Sequence, residues 1–128
     1  MTRIILVEDE TLIAKDEQNM LETLGYEVVG TASTGLEAIE KALSLKPDLI
    51  LMDIRLKGEM DGIDAACKIL EQFHVPIIFL TGHSDDETLQ RAKKIQPDGC
   101  LSKPFEMNAL RSAIETVLYK SEMDTKPS

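Results

Sequence analysis

The chain has 128 residues, of which 43% are hydrophobic, and a net charge of −9. This length allows one domain with a full core, and no apolar run approaches the roughly 20 residues of a membrane span. The acidic balance argues against a nucleic-acid surface. Cys67 and Cys100 lack the C-x-x-C spacing of a redox pair or zinc site. The sequence has no signal-peptide pattern, so we expect a soluble cytoplasmic protein. The expected partners are proteins or cations, and neither nucleic acid nor membrane.

Strand-like and helix-like segments alternate five times along the chain. The apolar runs that predict buried strands are residues 3–7, 27–32, 47–53, 76–80 and 99–102. Helical periodicity follows each run, with Leu12 and Leu36 assigned to the apolar faces of the first two helices. The fourth helix has only a narrow stripe formed by Leu89, Ala92 and Ile95. The right-handed crossover rule then predicts an α/β fold, a doubly wound five-stranded parallel sheet of flavodoxin-like type.

The last residues of the chain differ in character from those before them. Residues 121–128 are polar and lack a period, which favours a linker or frayed tail after a domain of residues 1–120. Both a stand-alone domain and a part of a longer protein fit this pattern.

Polar residues follow four of the predicted strands. Glu8 and Asp9 follow the first, Asp53 ends the third, and Thr81 and Lys103 follow the fourth and fifth. The carboxyl ends of parallel strands meet at one edge of a sheet, so these side chains are expected to converge. Crowded carboxylates suit Mg²⁺, for which Mn²⁺ could substitute. A lysine and a hydroxyl beside them could hold a phosphoryl group on a nucleophilic aspartate.

Five separated motifs agree with these positions, and together they resemble the receiver domain of two-component response regulators over about residues 3–120. The motifs are Ile5-Leu6-Val7-Glu8-Asp9-Glu10, Pro47-Asp48-Leu49-Ile50-Leu51-Met52-Asp53, Met60-Asp61-Gly62, Leu80-Thr81-Gly82 and Lys103-Pro104-Phe105. One motif alone would be weak, but their order and spacing agree.

The resemblance implies a role for each matching position. Asp53 would be the phosphoacceptor, and Glu8 and Asp9 would hold Mg²⁺ together with Asp53 and the backbone carbonyl of Arg55. Thr81 and Lys103 would contact the phosphoryl group, and the peptide bond before Pro104 would be cis. The partners implied are a sensor histidine kinase or phosphotransfer protein and an unknown downstream protein, with a possible homodimer through the face from helix four to helix five.

Three positions depart from the family pattern. Cys100 stands three residues before the lysine, where a Tyr or Phe is usual, so the usual coupled motion of threonine and aromatic ring is not predicted. Gly82 replaces the more frequent alanine, and the loop after Asp53 lacks a proline. Arg55 and His83, each two residues past a site residue, are expected to flank the acyl phosphate and modulate its hydrolysis.

Plainer readings exist for every residue taken alone. Glu8, Asp9 and Glu10 could simply favour the dipole of the first helix. Asp53 could be an acid at the start of a loop, Thr81 a strand-end residue and Lys103 a surface lysine. Cys100 is expected to be a small buried hydrophobe, and both histidines, His74 and His83, to face solvent.

Two other functions are compatible with a parallel sheet and a reactive aspartate. A phosphohydrolase of the haloacid dehalogenase type would place its nucleophile in a D-x-D pattern after the first strand, where this chain has Glu8-Asp9-Glu10. A flavodoxin-like cofactor module would need Gly, Ser or Thr there, because acids repel a phosphate. The preferred hypothesis is therefore a switch that catalyses only its own phosphorylation and dephosphorylation, rather than an enzyme.

Overall fold

A computed structural model describes residues 1–82 and 86–125. Its five strands are β1 (Arg3–Val7), β2 (Glu27–Ala32), β3 (Leu49–Asp53), β4 (Ile77–Thr81) and β5 (Gly99–Ser102). They form one sheet in the order β2-β1-β3-β4-β5, and every neighbouring pair is parallel. The predicted doubly wound fold is confirmed.

Helices cover both faces of the sheet. They are α1 (Thr11–Thr23), α2 (Gly35–Leu45), α3 (Gly62–Gln72), α4 (Asp86–Lys94) and α5 (Met107–Thr125). One core layer packs the sheet against α2, α3 and α4, and the other packs it against α1 and α5. All residues of β3 and β4 are buried, as their continuous apolar runs predict for strands covered on two sides.

Two leucines assigned to apolar helix faces point away from the core. Leu12 is 80% exposed and Leu36 is 66% exposed, so both assignments were wrong. Each is the second residue of its helix, since α1 begins at Thr11 and α2 at Gly35, and its side chain faces solvent. The residues that reach the core from these helices lie further along, at Leu21, Ala38 and Ala42.

The chain end is more helical than its polarity indicates. Helix α5 continues through Thr125, so residues 121–125 extend the last helix, and the division into a domain of residues 1–120 and a following tail or linker stays a prediction. Lys, Glu and Met are good helix formers, and they extend a helix already anchored by the buried Leu110, Ile114 and Val117. Residues 126–128 lie outside the description, as does Ser84, which stands three residues before Glu87 and so has the spacing of a capping box at the start of α4.

Two further features concern the exposure of His74 and the character of the helices. His74 is exposed, as predicted. Within residues 1–82 and 86–125, none of the helices has the length and apolar character needed to cross a bilayer.

Candidate functional site

Four strands deliver the candidate residues to one edge of the sheet. Glu8 and Asp9 follow β1, Asp53 is the last residue of β3, Thr81 is the last of β4, and Lys103 follows β5. Because every strand is parallel, these positions meet at one edge of the sheet, and all of them except Thr81 line a common cleft of about 380 Å³. The residues lining that cleft are Glu8, Asp9, Glu10, Ile13, Asp53, Ile54, Arg55, Gly82 and Lys103.

Lys103 lies at the centre of this cleft and joins two carboxylates. Its Nζ donates to Glu8 Oε1 at 2.5 Å and to Asp53 Oδ2 at 2.6 Å. The Glu8 and Asp53 side chains are only 2% and 9% exposed. Burial by itself would lower the pKa of Lys103, but the hydrogen bonds and charges of Asp53 and Glu8 raise that pKa above its usual value. Lys103 is therefore a charged, partly buried site residue and not a surface lysine.

Three carboxylates around the lysine are close enough to share one cation. Glu8, Asp9 and Asp53 each place an oxygen so that all three lie within 4.8 Å of one another. Burial raises the pKa of Asp9, and a hydrogen bond with Glu8 and the negative charge of Glu8 raise it further. Three crowded hard oxygen donors in a solvent-accessible cleft fit Mg²⁺, which binds through a few carboxylates and keeps waters.

Backbone hydrogen bonds orient the two buried acids. The N–H of Arg55 donates to Asp53 Oδ1 at 3.2 Å, and the N–H of Glu10 donates to Glu8 Oε2 at 3.2 Å. Each acid therefore has one oxygen on the backbone and the other on Lys103. Arg55 is exposed at the rim of the cleft, and its backbone N–H contacts the Asp53 carboxylate, while the metal role of its carbonyl stays a prediction.

The fourth and fifth strands are joined at the site. The backbone N–H of Lys103 donates to the carbonyl of Thr81 at 2.6 Å, and Thr81 is 5% exposed. The peptide bond between Lys103 and Pro104 is cis, as predicted. His83, the remaining candidate, lies outside the described residues.

Comparison with known proteins agrees with this geometry. The family model described as "Response regulator receiver domain" matches residues 4–115. The chain belongs to this family. It is 42% identical to the transcriptional regulatory protein PdtaR of Mycobacterium tuberculosis, over 92% of this chain and 57% of that protein. It is 37% identical to the phyllosphere-induced regulator PhyR of Methylorubrum extorquens, over 92% of this chain and 44% of that one. The chain thus spans about half the length of these relatives.

A solved structure shows the same fold over the whole receiver domain. The signal receiver domain of a modulated diguanylate cyclase from Desulfovibrio desulfuricans superposes with a TM-score of 0.92 at 39% identity, covering 97% of this chain and 98% of that one. The receiver assignment therefore rests on sequence and on architecture.

Cys100 in this receiver domain is exposed, so the expectation of a buried cysteine was wrong. It pairs with Phe79 across β4 and β5, on the face that α4 covers. β5 is one of the two edge strands of the sheet, and Ala92 is the one buried residue that α4 contributes in the described part of the chain. Helix α4 therefore packs too little side-chain surface against β5 to bury Cys100.

Glu17 of α1 is a functional candidate that the sequence motifs do not include. It is 4% exposed, and its Oε1 has no hydrogen-bond partner within the described structure. It lines a second cavity, of about 530 Å³, next to Lys103 and Phe105. Its spacing from Ile13 and Leu21 follows the helical period, so the apolar stripe of α1 contained a signal for its burial.

The buried carboxyl of Glu17 predicts a pH-dependent stability. Burial, reinforced by the negative charge of Glu8 and opposed by Lys103, raises its pKa from 4.5 to about 7. The folded chain then binds a proton that the unfolded chain has lost, so this group makes stability fall as the pH rises between 4.5 and about 7. Glu17→Gln should remove this cost and stabilise the domain by about 2 kcal/mol above pH ~7.5, with little gain near pH ~4.5.

Urea unfolding in EDTA at several pH values measures this difference. Glu22→Gln is the matched control, because Glu22 is an exposed glutamate on the same helix. A gain for Glu17→Gln that does not change with pH, or an equal gain for the control, would contradict the assignment.

Proposed function

We propose that this receiver domain is a phosphorylation-dependent switch in which Asp53 accepts a phosphoryl group from the phosphohistidine of a sensor histidine kinase or phosphotransfer protein. The observation that carries the proposal is the position of Asp53. It is the buried end of the central strand, with Lys103 Nζ at 2.6 Å and two further acids around a shared point. The Asp53 carboxylate, held beside the Lys103 ammonium, is suited to nucleophilic attack on phosphorus.

The transfer forms one bond and breaks one. An Asp53 carboxylate oxygen attacks phosphorus, the P–N bond of the phosphohistidine breaks, and the leaving imidazole nitrogen takes up a proton. Glu8, Asp9, Asp53 and the Arg55 carbonyl are the groups proposed to hold Mg²⁺, whose charge would screen the acids from the incoming anion. Before phosphorylation the Lys103 ammonium contacts the Asp53 carboxylate, and after transfer it can contact a phosphoryl oxygen instead. Thr81 supplies a hydroxyl donor.

The output is proposed to pass through α4, β5 and α5. Support comes from the thin anchoring of α4 and from the exposure of Cys100 on β5 and of Tyr119 on α5, the latter 63% exposed. Phosphorylation would shift this surface toward a state that binds a downstream protein or a second copy of the chain. Relatives differ in their outputs, since one is called a transcriptional regulatory protein and another an anti-anti-sigma factor. The identity of the partner is therefore left to experiment.

Intact mass after incubation with Mg²⁺ and acetyl phosphate tests the acceptor. The wild type should gain the mass of one phosphoryl group, and Asp53→Asn should gain none. Glu10→Gln is the control, because Glu10 is an exposed acid that lines the same cleft without belonging to the carboxylate cluster. EDTA should abolish the gain in all samples. Equal gains for wild type and Asp53→Asn, or no gain for either, would refute the proposed function.

A further inference from the structure

Arg91 on α4 bridges two acids at the start of α3. Its Nη1 donates to Asp61 Oδ2 and its Nη2 to Asp64 Oδ1, both at 2.9 Å. The planar guanidinium can hold two acids at fixed separation, which a lysine ammonium cannot do with the same geometry. None of the motifs that identify the receiver family includes Arg91.

The two acids also cap α3. Asp61 Oδ1 accepts from the N–H of Asp64 at 2.9 Å, and Asp64 Oδ2 accepts from the N–H of Asp61 at 3.2 Å, which forms a reciprocal capping box. Each carboxylate therefore uses one oxygen for the cap and the other for Arg91. The guanidinium therefore contacts both carboxylates that cap the first turn of α3.

The first turn of α3 lies directly against the phosphoacceptor strand. The N–H of Gly62 donates to the carbonyl of Ile54 at 2.7 Å. A Cβ at Gly62 would lie 2.0 Å from the carbonyl oxygen of Asp53, so the two backbones are in contact with no side chain between them. Arg55, whose N–H orients the Asp53 carboxylate, immediately follows Ile54. The start of α3 thus helps to fix the backbone of residues 53–55, which holds the Asp53 carboxylate.

Helix α4 buries little apolar surface within the described residues. Ala92 is its one buried residue, and Ile95 just past its end is half-buried. Partly exposed ion pairs are individually weak, but here both arms of one side chain act on a helix that buries little apolar surface. The two Arg91 contacts therefore tie α4 directly to the start of α3.

We propose that Arg91 is a positioning residue that fixes the start of α3 against the backbone of residues 53–55 and so couples the position of α4 to the geometry around Asp53. This deepens the proposed function, on which its signalling consequence rests. With Cys100 in place of an aromatic ring, this connection supplies a route between acceptor and α4 that does not need one. Coupling is reciprocal, so a change at the acceptor also alters the position of α4.

Hydrogen exchange at the Gly62 amide, without phosphate, tests the positional step. Arg91→Gln should speed that exchange by about fivefold or more relative to the Ile50 amide, and Arg91→Lys should be intermediate. Ile50 lies near the other end of β3 and donates to the Pro76 carbonyl, so it reports general loosening of the sheet. Lys93→Gln is the matched control, because it removes an exposed cation from the same helix. Equal changes at Gly62 and Ile50, or equal effects of Arg91→Gln and Lys93→Gln, would overturn the proposal.

The rate of phosphoryl uptake from acetyl phosphate tests the consequence at Asp53. We expect uptake to be several-fold slower in Arg91→Gln and close to wild type in Lys93→Gln, since small displacements of a reacting group are costly. Equal rates in the two variants would overturn the coupling to the acceptor. If the wild type takes up no phosphoryl group, the proposed function fails, and the exchange comparison still decides whether Arg91 positions the acceptor backbone.

Discussion

Lys103→Met is expected to lower the free energy of unfolding by about 3 kcal/mol in EDTA. The substitution keeps an apolar chain of similar length but removes the cation that contacts both Glu8 and Asp53. Those two carboxylates would be left buried side by side, and unpaired buried charge is among the most costly defects a fold can carry. Lys68→Met, on the exposed side of α3, controls for the loss of a lysine charge and should change stability little.

Magnesium should reverse much of this loss. In the wild type the ammonium of Lys103 already neutralises two of the proposed ligands, so a divalent cation must share them with it. Without that competition, we expect Lys103→Met to bind Mg²⁺ about tenfold more tightly and to regain stability through that binding. Urea unfolding with EDTA and with saturating Mg²⁺ measures both effects. A loss equal to that of Lys68→Met, or an identical loss in both buffers, would contradict the central role given to Lys103.

The sequence predicted the sheet, the order of elements and the convergence of Asp53 with Glu8, Asp9 and Lys103. These features depend on local periodicity and on one topological rule, that parallel strands end at a common edge. Because each candidate directly follows or ends a recognisable apolar run, its place at that edge needed no knowledge of distant contacts. The meeting of these side chains at one edge could therefore be predicted before any geometry was known, and their chemical roles stay predictions.

Features that depend on which helix covers which part of the sheet could not be predicted in this way. Glu17 lies within the apolar stripe of α1, but its charge favours a polar assignment unless burial is known. Cys100 has the small apolar character of a core residue, yet the edge position of β5 leaves it exposed. The contact of Arg91 with Asp61 and Asp64 joins residues 30 and 27 positions apart, and no local pattern indicates it.

Gly62→Ala is expected to destabilise the domain by about 3 kcal/mol, at the upper end of the usual cost of overpacking. The added Cβ would lie 2.0 Å from the carbonyl oxygen of Asp53 and 2.9 Å from its carbonyl carbon. Both contacts are with backbone, which cannot rotate away as a side chain can. Relief requires α3 to move outward, which stretches the 2.7 Å hydrogen bond from Gly62 to Ile54.

Gly82→Ala provides the control, because a Cβ at Gly82 meets no atom of the described residues within 4 Å and should leave stability within about 0.5 kcal/mol of wild type. Thermal or urea unfolding of the two variants separates the general effect of adding a methyl group from the contact at Gly62. The same displacement of α3 would pull on Asp61 and on the guanidinium of Arg91, so Gly62→Ala should also loosen α4. Faster hydrogen exchange in α4 for Gly62→Ala than for Gly82→Ala would show that the acceptor backbone, the start of α3 and α4 move together, and equal exchange would show that they do not.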